Sequence, residues 1–278
     1  MRDINNAVCL VTGASRGIGR GIALALLAEG ARVHVTGRTI TEAQAAMHPQ
    51  LTGSLNSLVA EARSLPGKLT VHVCDHADDT QTERAVAETV AAEGHIDILV
   101  NNAWPGYENM VEGNDFTWVK PFWEQPMWRW HGMIDVAVRA AFVAGRAAAP
   151  SMVARRSGLI VNISFWAAQR YDGNVIYGVA KAAADKMAAD FAHDLRPHGI
   201  AAVSLYPGLV RTEAVLRNAE YFDMSNSESP QFIGRVISGL WRDAGLMEKS
   251  GRFHVAAALA QEYDIEDIDG KRPLPAVL

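Results

Sequence analysis

The sequence predicts an α/β fold, in which one doubly wound parallel sheet of about seven strands carries helices on both faces. Short apolar runs alternate with amphipathic stretches from the first residues on, which is the pattern of β-α-β units. Most of these runs are apolar throughout, as strands covered on both faces are. A glycine-rich turn also joins the first apolar run to the first amphipathic stretch.

Length and composition indicate an ordinary globular protein. The chain has 278 residues, of which 49% are apolar and 21% charged, and this balance suits one domain spanning residues 1–278. The formal net charge of −5 comes without a basic cluster, so no nucleic-acid partner is expected. We see no leader-like start and no run of about eighteen apolar residues, so no membrane span is expected.

The two cysteines, Cys9 and Cys74, lie in apolar runs that are typical of buried strands. We interpret them as packing residues, and this cysteine usage suits a cytoplasmic location. The nine histidines show no spacing typical of metal ligands, so no metal is expected.

Seven apolar runs, each followed by turn formers, predict the strands in chain order. The runs are AVCLVTG, ARVHVTG, LTVHVCD, HIDILVNNA, SGLIVNIS, GIAAVSLYPG and GRFHVAAA, which begin at residues 7, 31, 69, 95, 157, 199 and 251. They account for the whole predicted sheet.

Helices are predicted in the amphipathic stretches between these runs. The first opens at GIGRGIALALLAEG, and others span about residues 80–93, 126–151 and 174–196. Gly30 ends the first helix, and Pro197 ends the last of these because proline does not continue a helix. Ser229 and Pro230 predict the N-cap and first residue of a later helix.

Two long stretches break this rhythm. Residues 104–130 form a Trp-rich insertion, and residues 212–250 form an excursion that contains the acidic, Ser-rich AEYFDMSNSESP. Long irregular connections in a compact domain are often lids over a functional site, so we expect the excursion to be a substrate lid. Neither stretch is expected to be a separate domain.

The segment VTGASRGIG predicts a dinucleotide site. It sets Gly13, Gly17 and Gly19 between the first strand and the first helix. Glycines at this spacing allow a tight turn, close approach of the backbone to a pyrophosphate and packing of helix on strand. The helix N-terminus then faces the phosphates. In this context, after a strand and before a helix, the loop predicts a Rossmann-like fold.

The end of the second strand predicts which cofactor binds. VTGRT offers no carboxylate for a ribose 2′-hydroxyl, whereas Arg38, with Arg16 in the glycine loop, can meet a 2′-phosphate. We therefore predict that the protein binds NADP(H) rather than NAD(H). The alternative is that Arg38 is a solvated surface residue. Asp75, after the third strand, either contacts the adenine or caps a helix.

Five motifs follow one another within residues 5–260: TGASRGIG, NNA, NIS, YGVAK and YPGLVRT. In this order and at these intervals the chain resembles the classical short-chain dehydrogenase/reductase superfamily. The resemblance implies a nicotinamide-dependent oxidoreductase that assembles as a homodimer or homotetramer through two long helices. NNAW, FWEQP and YDIEDIDGKRP further resemble one subgroup of that superfamily.

Tyr177 and Lys181, four residues apart on a predicted helix, are the expected catalytic pair. Reduction of a ketone by hydride transfer requires an acid beside the oxygen, which Tyr177 supplies. The Lys181 ammonium is expected to lower the pKa of that phenol. The resemblance implies that Lys181 also binds the nicotinamide ribose and that Ser164, thirteen residues before Tyr177, hydrogen-bonds the carbonyl oxygen.

Two departures from the family pattern bear on this mechanism. The family commonly has a second serine where this chain has Phe165, and strand alternation leaves it open whether Ser164 points toward the site. The asparagine of the family's proton relay falls at Ala137, where a backbone carbonyl is the alternative support for a relay water.

The resemblance implies further cofactor contacts beyond the glycines and Arg38. These are Ser15, Ile18, Asn101, Ala103, Pro207, Gly208, Val210 and Thr212, together with Tyr177 and Lys181. For Thr212, capping of the helix that begins at Glu213 is the alternative role.

Aromatic residues predict a roomy apolar substrate pocket. Its candidate walls are Trp104, Phe165 and Trp166, with Tyr107, Trp118, Phe122 and Trp123. Roughly half of the tryptophans are expected to fill the interior instead. We therefore predict an NADP(H)-dependent oxidoreductase that reduces a hydrophobic ketone or aldehyde, or oxidises the matching secondary alcohol, with Tyr177 as proton donor or acceptor.

Two other hypotheses belong to different functional classes. A non-catalytic NADP(H)-binding sensor is suggested by Ala137 and Phe165, but a pure sensor has no need of Tyr177 beside the nicotinamide. An interaction scaffold built on the Trp-rich surface would require an exposed apolar area well beyond that of an ordinary monomer.

Overall fold

The computed structural model describes residues 2–45, 52–107, 111–112 and 115–276. Its strands are β1 (Val8–Val11), β2 (Arg32–Gly37), β3 (Lys68–Val73), β4 (Ile98–Asn101), β5 (Val111–Glu112), β6 (Asp115–Phe116), β7 (Gly158–Ile163), β8 (Ile200–Tyr206) and β9 (Phe253–Val255). Its α-helices are α1 (Gly17–Ala28), α2 (Glu42–Ala45), α3 (Leu55–Ala62), α4 (Asp79–Glu93), α5 (Met127–Trp130), α6 (Arg139–Arg155), α7 (Val175–Leu195), α8 (Glu213–Arg217), α9 (Pro230–Arg242), α10 (Leu246–Lys249) and α11 (Ala256–Glu262).

Seven strands form one parallel sheet in the order β3-β2-β1-β4-β7-β8-β9, which confirms the predicted fold class. Val11 of β1 pairs with Val35 on one side and with Val100 on the other. Between β1 and β4 the direction in which successive strands are added to the sheet reverses. At such a position the loops that follow the two strands run to opposite faces of the sheet and leave a crevice at its carboxyl edge. The predicted dinucleotide site lies at this edge.

Helices cover both faces of the sheet. On one face, α1 and α9 pack together and contribute Ile22 and Phe232 to a buried apolar cluster. On the other face, α4, α6 and α7 contribute Val86, Met152 and Ala192 to a second cluster. The central strands between them are buried along their whole length, as their continuous apolar runs predict.

The helix ends follow local signals in the sequence. α4 begins after Asp78, whose side chain accepts a hydrogen bond from the backbone N–H of Thr80, and ends at Gly94 in the left-handed conformation. α9 begins at Pro230 after a capping Ser229, which confirms that prediction. Local hydrogen-bonding chemistry therefore explains where these helices start and stop.

Two predicted elements differ from the structure. The last strand ends at Val255, and α11 begins at Ala256 because the alanines that follow favour helix. The helix predicted at residues 126–151 runs from Met127 to Arg155 as α5, a π-helical segment (His131–Val138) and α6. By length and composition this helix could cross a membrane, but a partly buried core helix passes the same test.

The two irregular stretches fold differently. The insertion contains the antiparallel pair β5 and β6 and two 3-10 turns (Thr117–Val119 and Phe122–Glu124) before α5 begins. In the excursion, α9 is a core helix packed on α1. Its irregular parts are therefore residues 212–229, which contain α8 and one 3-10 turn (Ala219–Tyr221), and residues 243–250, which contain the short α10.

Candidate active site

Tyr177 and Lys181 lie near the N-terminus of α7 and are almost completely buried, with 5% and 7% of their surface exposed. Asn174 caps this helix, because its Oδ1 accepts a hydrogen bond from the backbone N–H of Tyr177 at 3.0 Å. The Nδ2 of Asn174 donates to the carbonyl of Trp118 at 2.9 Å. This cap therefore joins the catalytic helix to the Trp-rich insertion.

Lys181 makes two contacts that orient its ammonium group. Its Nζ donates a hydrogen bond to the carbonyl of Ile163 at 3.2 Å, at the end of β7. The same nitrogen lies 4.0 Å from the ring centroid of Trp104, a cation–π contact. Burial lowers the pKa of Lys181 to about 8. The ammonium group is therefore mostly protonated at pH 7 but can lose its proton slightly above neutral pH.

The pKa of Tyr177 does not follow the sequence-based expectation. Burial raises it well above its ordinary value, and the neighbouring phenol of Tyr107 raises it further. The expected lowering by Lys181 is not seen, since desolvation has the largest effect on the phenol and the ammonium donates to the carbonyl of Ile163 instead. Tyr177 is therefore protonated at neutral pH, the form in which a phenol donates a proton.

Ser164 turns its hydroxyl toward the backbone of α7. Its Oγ donates to the carbonyl of Lys181 at 3.1 Å, and its side chain is buried. Phe165, the next residue, brings its ring centroid to 6.1 Å from that of Tyr177. The structure thus brings Tyr177 and Lys181 together but gives Ser164 a backbone partner, and its predicted contact with a carbonyl oxygen stays a prediction.

Four aromatic rings surround Tyr177. The ring centroids of Trp104, Tyr107, Trp118 and Phe165 lie between 5.3 and 6.3 Å from that of Tyr177. This aromatic wall, defined by those four residues, forms an apolar surrounding for the phenol with little room for water.

The other predicted wall residues lie elsewhere. Trp166 packs edge-on against Tyr206 and Phe253, in the interior behind the site. Phe122 and Trp123 pack on each other and are 64% and 72% exposed, so both lie mainly on the surface. The Trp-rich insertion therefore contributes residues both to the aromatic wall and to the exposed surface of the protein.

The glycine loop is packed too tightly for side chains. Gly13 has φ +70°, and a Cβ there would lie 2.7 Å from the Cα of Ala103. A Cβ on Gly19 would lie 2.3 Å from Nδ2 of Asn102. That amide donates to the carbonyls of Thr12 and Gly13, at 2.9 and 3.0 Å, and so fixes the loop. Sequence reasoning missed this bracing role, although Asn102 belongs to the NNA motif.

The N-terminus of α1 already receives a carboxylate. Oε2 of Glu213 accepts a hydrogen bond from the backbone N–H of Gly17 at 3.0 Å. Thr212 caps α8 through its Oγ1, which accepts from Val215, so its alternative role is present in the structure. The loop after β8 thus reaches the glycine loop and shows that this helix end accommodates an anionic oxygen.

The ends of β2 and β3 bring the predicted adenosine-side residues together. Arg38 and Asp75 form an ion pair at 3.7 Å, and each side chain is nearly half exposed. Arg16 donates from Nη2 to Oγ1 of Thr39 at 2.7 Å, which holds it beside the start of the loop after β2. Both arginines lie at the edge where a 2′-phosphate would be recognised.

The PG segment after β8 rests on a buried acid. The backbone N–H of Gly208 donates to Oε2 of Glu228 at 2.8 Å, and Glu228 is 2% exposed. Burial raises the pKa of this carboxyl to about 7. Val210 pairs with Glu228 through an isolated bridge, which holds the segment after Pro207 in place. Glu228 lies in the Ser-rich stretch of the excursion, where no motif in the sequence indicated a buried acid.

The remaining predicted residues brace the site. Asn101 donates to Oδ1 of Asn162 at 2.9 Å, and the N–H of Ala103 donates to Oγ1 of Thr12 at 3.1 Å. Ala137 lies buried in the π-helical segment. Ser15 is buried in the loop, and Ile18 packs against the apolar cluster of α1. These positions agree with a framework role, and any direct cofactor contact of theirs stays a prediction.

The residues present fit a bound nicotinamide dinucleotide. The loop is packed so tightly that Gly13 and Gly19 admit no side chain, and the N–H of Gly17 faces an anionic oxygen. These groups would hold the pyrophosphate, while Lys181 and the segment around Gly208 line the end of the crevice nearest Tyr177. In the described part of the chain, no three metal-ligating side chains cluster together.

Similarity to known proteins agrees with this geometry. Residues 7–220 match the family model described as short chain dehydrogenase. The chain is 36% identical to dehydrogenase/reductase SDR family member 1 of Homo sapiens, over 96% of this chain and 85% of that protein. The protein of the same name from Mus musculus is 38% identical, over 95% and 84%.

A solved structure shares the fold. It is a short-chain type dehydrogenase/reductase from Mycobacterium marinum, with a TM-score of 0.73, 25% identity and coverage of 91% of this chain and 94% of that one. The two relatives above support the subgroup that the sequence motifs resemble. The chain belongs to the short-chain dehydrogenase/reductase superfamily of oxidoreductases.

Proposed function

We propose that this protein is an NADP(H)-dependent oxidoreductase that reduces a hydrophobic ketone or aldehyde, or oxidises the matching secondary alcohol. The observation that carries the proposal is the buried pair of Tyr177 and Lys181 beneath the aromatic wall. The pair stands at the carboxyl edge of the sheet, where the crevice beside the glycine loop opens.

The reaction consumes one hydride and one proton for each carbonyl reduced. The dihydronicotinamide supplies the hydride when it is bound. Tyr177 donates its hydroxyl proton to the carbonyl oxygen, so a new O–H bond forms as the phenol O–H bond breaks. Lys181, whose Nζ is 5.6 Å from the phenol ring centroid, stabilises the phenolate that remains. The raised pKa keeps Tyr177 protonated, which is the form that can donate a proton.

The preference for NADP(H) is supported by two arginines. Arg38 directly follows β2, and Arg16 lies in the glycine loop. A guanidinium can bind a 2′-phosphate through two hydrogen bonds. The choice of a hydrophobic substrate is supported by the aromatic wall, since apolar rings around the reacting oxygen favour an apolar carbonyl compound. A cytoplasmic homo-oligomer remains part of this proposal.

The test is NADPH oxidation with a panel of hydrophobic ketones, aldehydes and dicarbonyls. Tyr177→Phe keeps the ring and removes one oxygen, so it should abolish turnover, whereas Tyr171→Phe, at a residue that is 73% exposed, should leave it unchanged. Binding of NADPH with no turnover on any panel member would support the sensor hypothesis instead. Full turnover by Tyr177→Phe would contradict the proposed acid.

A further inference from the structure

A second phenol lies beside the proposed acid. The hydroxyl of Tyr107 donates a hydrogen bond to the hydroxyl oxygen of Tyr177, with 3.2 Å between the two oxygens. Tyr107 is 42% exposed, and partial desolvation of its phenol raises its pKa. Tyr107 is therefore a neutral hydrogen-bond donor at the point where a carbonyl oxygen would meet Tyr177.

The end of β7 supplies no comparable group. The hydroxyl of Ser164 is donated to the carbonyl of Lys181. The following residue, Phe165, presents a ring to Tyr177 and has no donor. A carbonyl oxygen at Tyr177 would therefore gain a second donor from this strand only if Ser164 gave up its bond to Lys181.

The insertion holds Tyr107 in this position. Its ring packs against those of Trp104 and Trp118, at centroid distances of 5.9 and 5.7 Å. The fully buried Arg129 lies 5.6 Å from the Trp118 ring and donates to the carbonyl of Thr117 at 3.0 Å. Since these contacts tie the Tyr107 ring to a polar anchor inside the insertion, its hydroxyl is preorganised rather than loosely placed.

We propose that Tyr107 is a catalytic residue that donates a second hydrogen bond to the substrate carbonyl oxygen. The proposal rests on the proposed function. The charge that develops on the oxygen during hydride transfer is then stabilised by two phenols, of which Tyr177 transfers its proton and Tyr107 keeps its own. An oxygen that contacts Tyr177 lies within reach of Tyr107, because the two hydroxyls are only 3.2 Å apart.

Kinetics give the first test. Tyr107→Phe should lower kcat by on the order of 10²-fold with a much smaller change in KM, because the bond strengthens in the transition state. Tyr171→Phe, the matched control, should retain kcat within about threefold, a change of less than 1 kcal/mol. Parent-like kcat in Tyr107→Phe would refute the proposal and leave the second hydrogen bond to Ser164.

A spectroscopic test separates substrate contact from support of Tyr177. We would record the infrared carbonyl stretch of acetophenone, labelled with ¹³C at the carbonyl, bound with NADP⁺, a pair in which no hydride is available. The stretch should move to higher wavenumber in Tyr107→Phe, because one hydrogen bond is lost, and stay unchanged in Tyr171→Phe. An unchanged stretch in Tyr107→Phe, while Tyr177→Phe shifts it, would refute this inference alone. No hydrogen-bonded carbonyl band in the parent with any panel ketone would refute the proposed function as well.

Discussion

Glu213 and Gly17 are joined by a hydrogen bond across the crevice, with 3.0 Å between the carboxylate oxygen and the backbone nitrogen. This N–H belongs to the first residue of α1, where the helix dipole favours negative charge. The carboxylate therefore occupies a place that a cofactor phosphate would take. A cofactor phosphate bound at this N–H would displace the carboxylate of Glu213, the first residue of α8.

We expect Glu213→Gln to bind NADPH about fivefold more tightly, because the competing charge-assisted bond is worth roughly 1 kcal/mol more than its neutral counterpart. Quenching of protein fluorescence on titration with NADPH measures the dissociation constant. Glu220→Gln, on the exposed turn nearby, is the control and should bind as the parent does. Weaker binding by Glu213→Gln would mean that this carboxylate supports the site.

Arg38→Ala tests the cofactor preference. We expect NADPH affinity to fall on the order of 10-fold to 100-fold, the loss of a charged hydrogen-bond partner of the 2′-phosphate, with NADH affinity unchanged. Both constants can be measured by the same titration. Arg63→Ala, at an exposed arginine that follows α3, is the matched control. If the ratio of the two affinities stays the same, Arg38 is a solvated surface residue.

Lys181→Met should stabilise the fold while it abolishes activity. Burial lowers the lysine pKa from 10.5 to about 8, so at pH 7 the charged group costs roughly 3 kcal/mol of unfolding free energy. In the parent, stability rises as pH increases from 8 toward 10.5, since the folded state releases this proton first. The advantage of the variant should therefore shrink by about 2 kcal/mol between pH 7 and pH 9.5 in urea unfolding. A constant difference across this range would contradict the assignment.

His76 should make stability sensitive to acid. Its ring nitrogens contact Oγ1 of Thr36 at 2.7 Å and Oγ1 of Thr82 at 2.9 Å, and burial lowers its pKa to about 4. As pH falls below 6.5 the unfolded chain binds a proton that the folded chain does not, so this contribution is complete above pH 6.5 and is lost toward pH 4.

His76→Gln removes that dependence and serves as the test. The variant should be less stable than the parent at pH 7.5. The difference in their unfolding free energies should narrow by about 2 kcal/mol at pH 5, because only the parent loses this contribution. Urea unfolding of both proteins at the two pH values gives the difference directly. If the difference in unfolding free energy is the same at both pH values, His76 is protonated in the folded state at pH 5.

The outer faces of α6 and α7 are expected to form the oligomer interface. Phe142 is 50% exposed on α6, and Val175 and Val179 are 42% and 44% exposed on α7. Light scattering should give a multiple of the 30.1 kDa chain mass. Phe142→Glu should lower that mass, whereas Val59→Glu, at an exposed valine on α3, should not. A monomeric parent protein would contradict the proposed assembly.

Much of the fold could be predicted because it depends on local pattern. The order of apolar runs and glycine turns predicts the strands and the parallel sheet, since burial on both faces demands continuous apolar runs. Helical spacing likewise predicts that Tyr177 and Lys181 lie one turn apart on α7, while their catalytic role was expected from the family motifs around them and stays a prediction. Even so, the end of the last strand was missed, because Val255 and Ala256 differ in structure while both are apolar.

The sequence by itself determined the strands of the sheet through their continuous apolar runs, and through spacing it placed the glycines in one turn and Tyr177 beside Lys181 on one helix. Only the tertiary structure decided which way Ser164 turns, that Tyr107 reaches Tyr177 and that Glu213 reaches Gly17. The last two contacts join residues 70 and 196 positions apart, and loop packing rather than local pattern brings them together. The pKa of Tyr177 was decided there too, because desolvation depends on the rings that close around it.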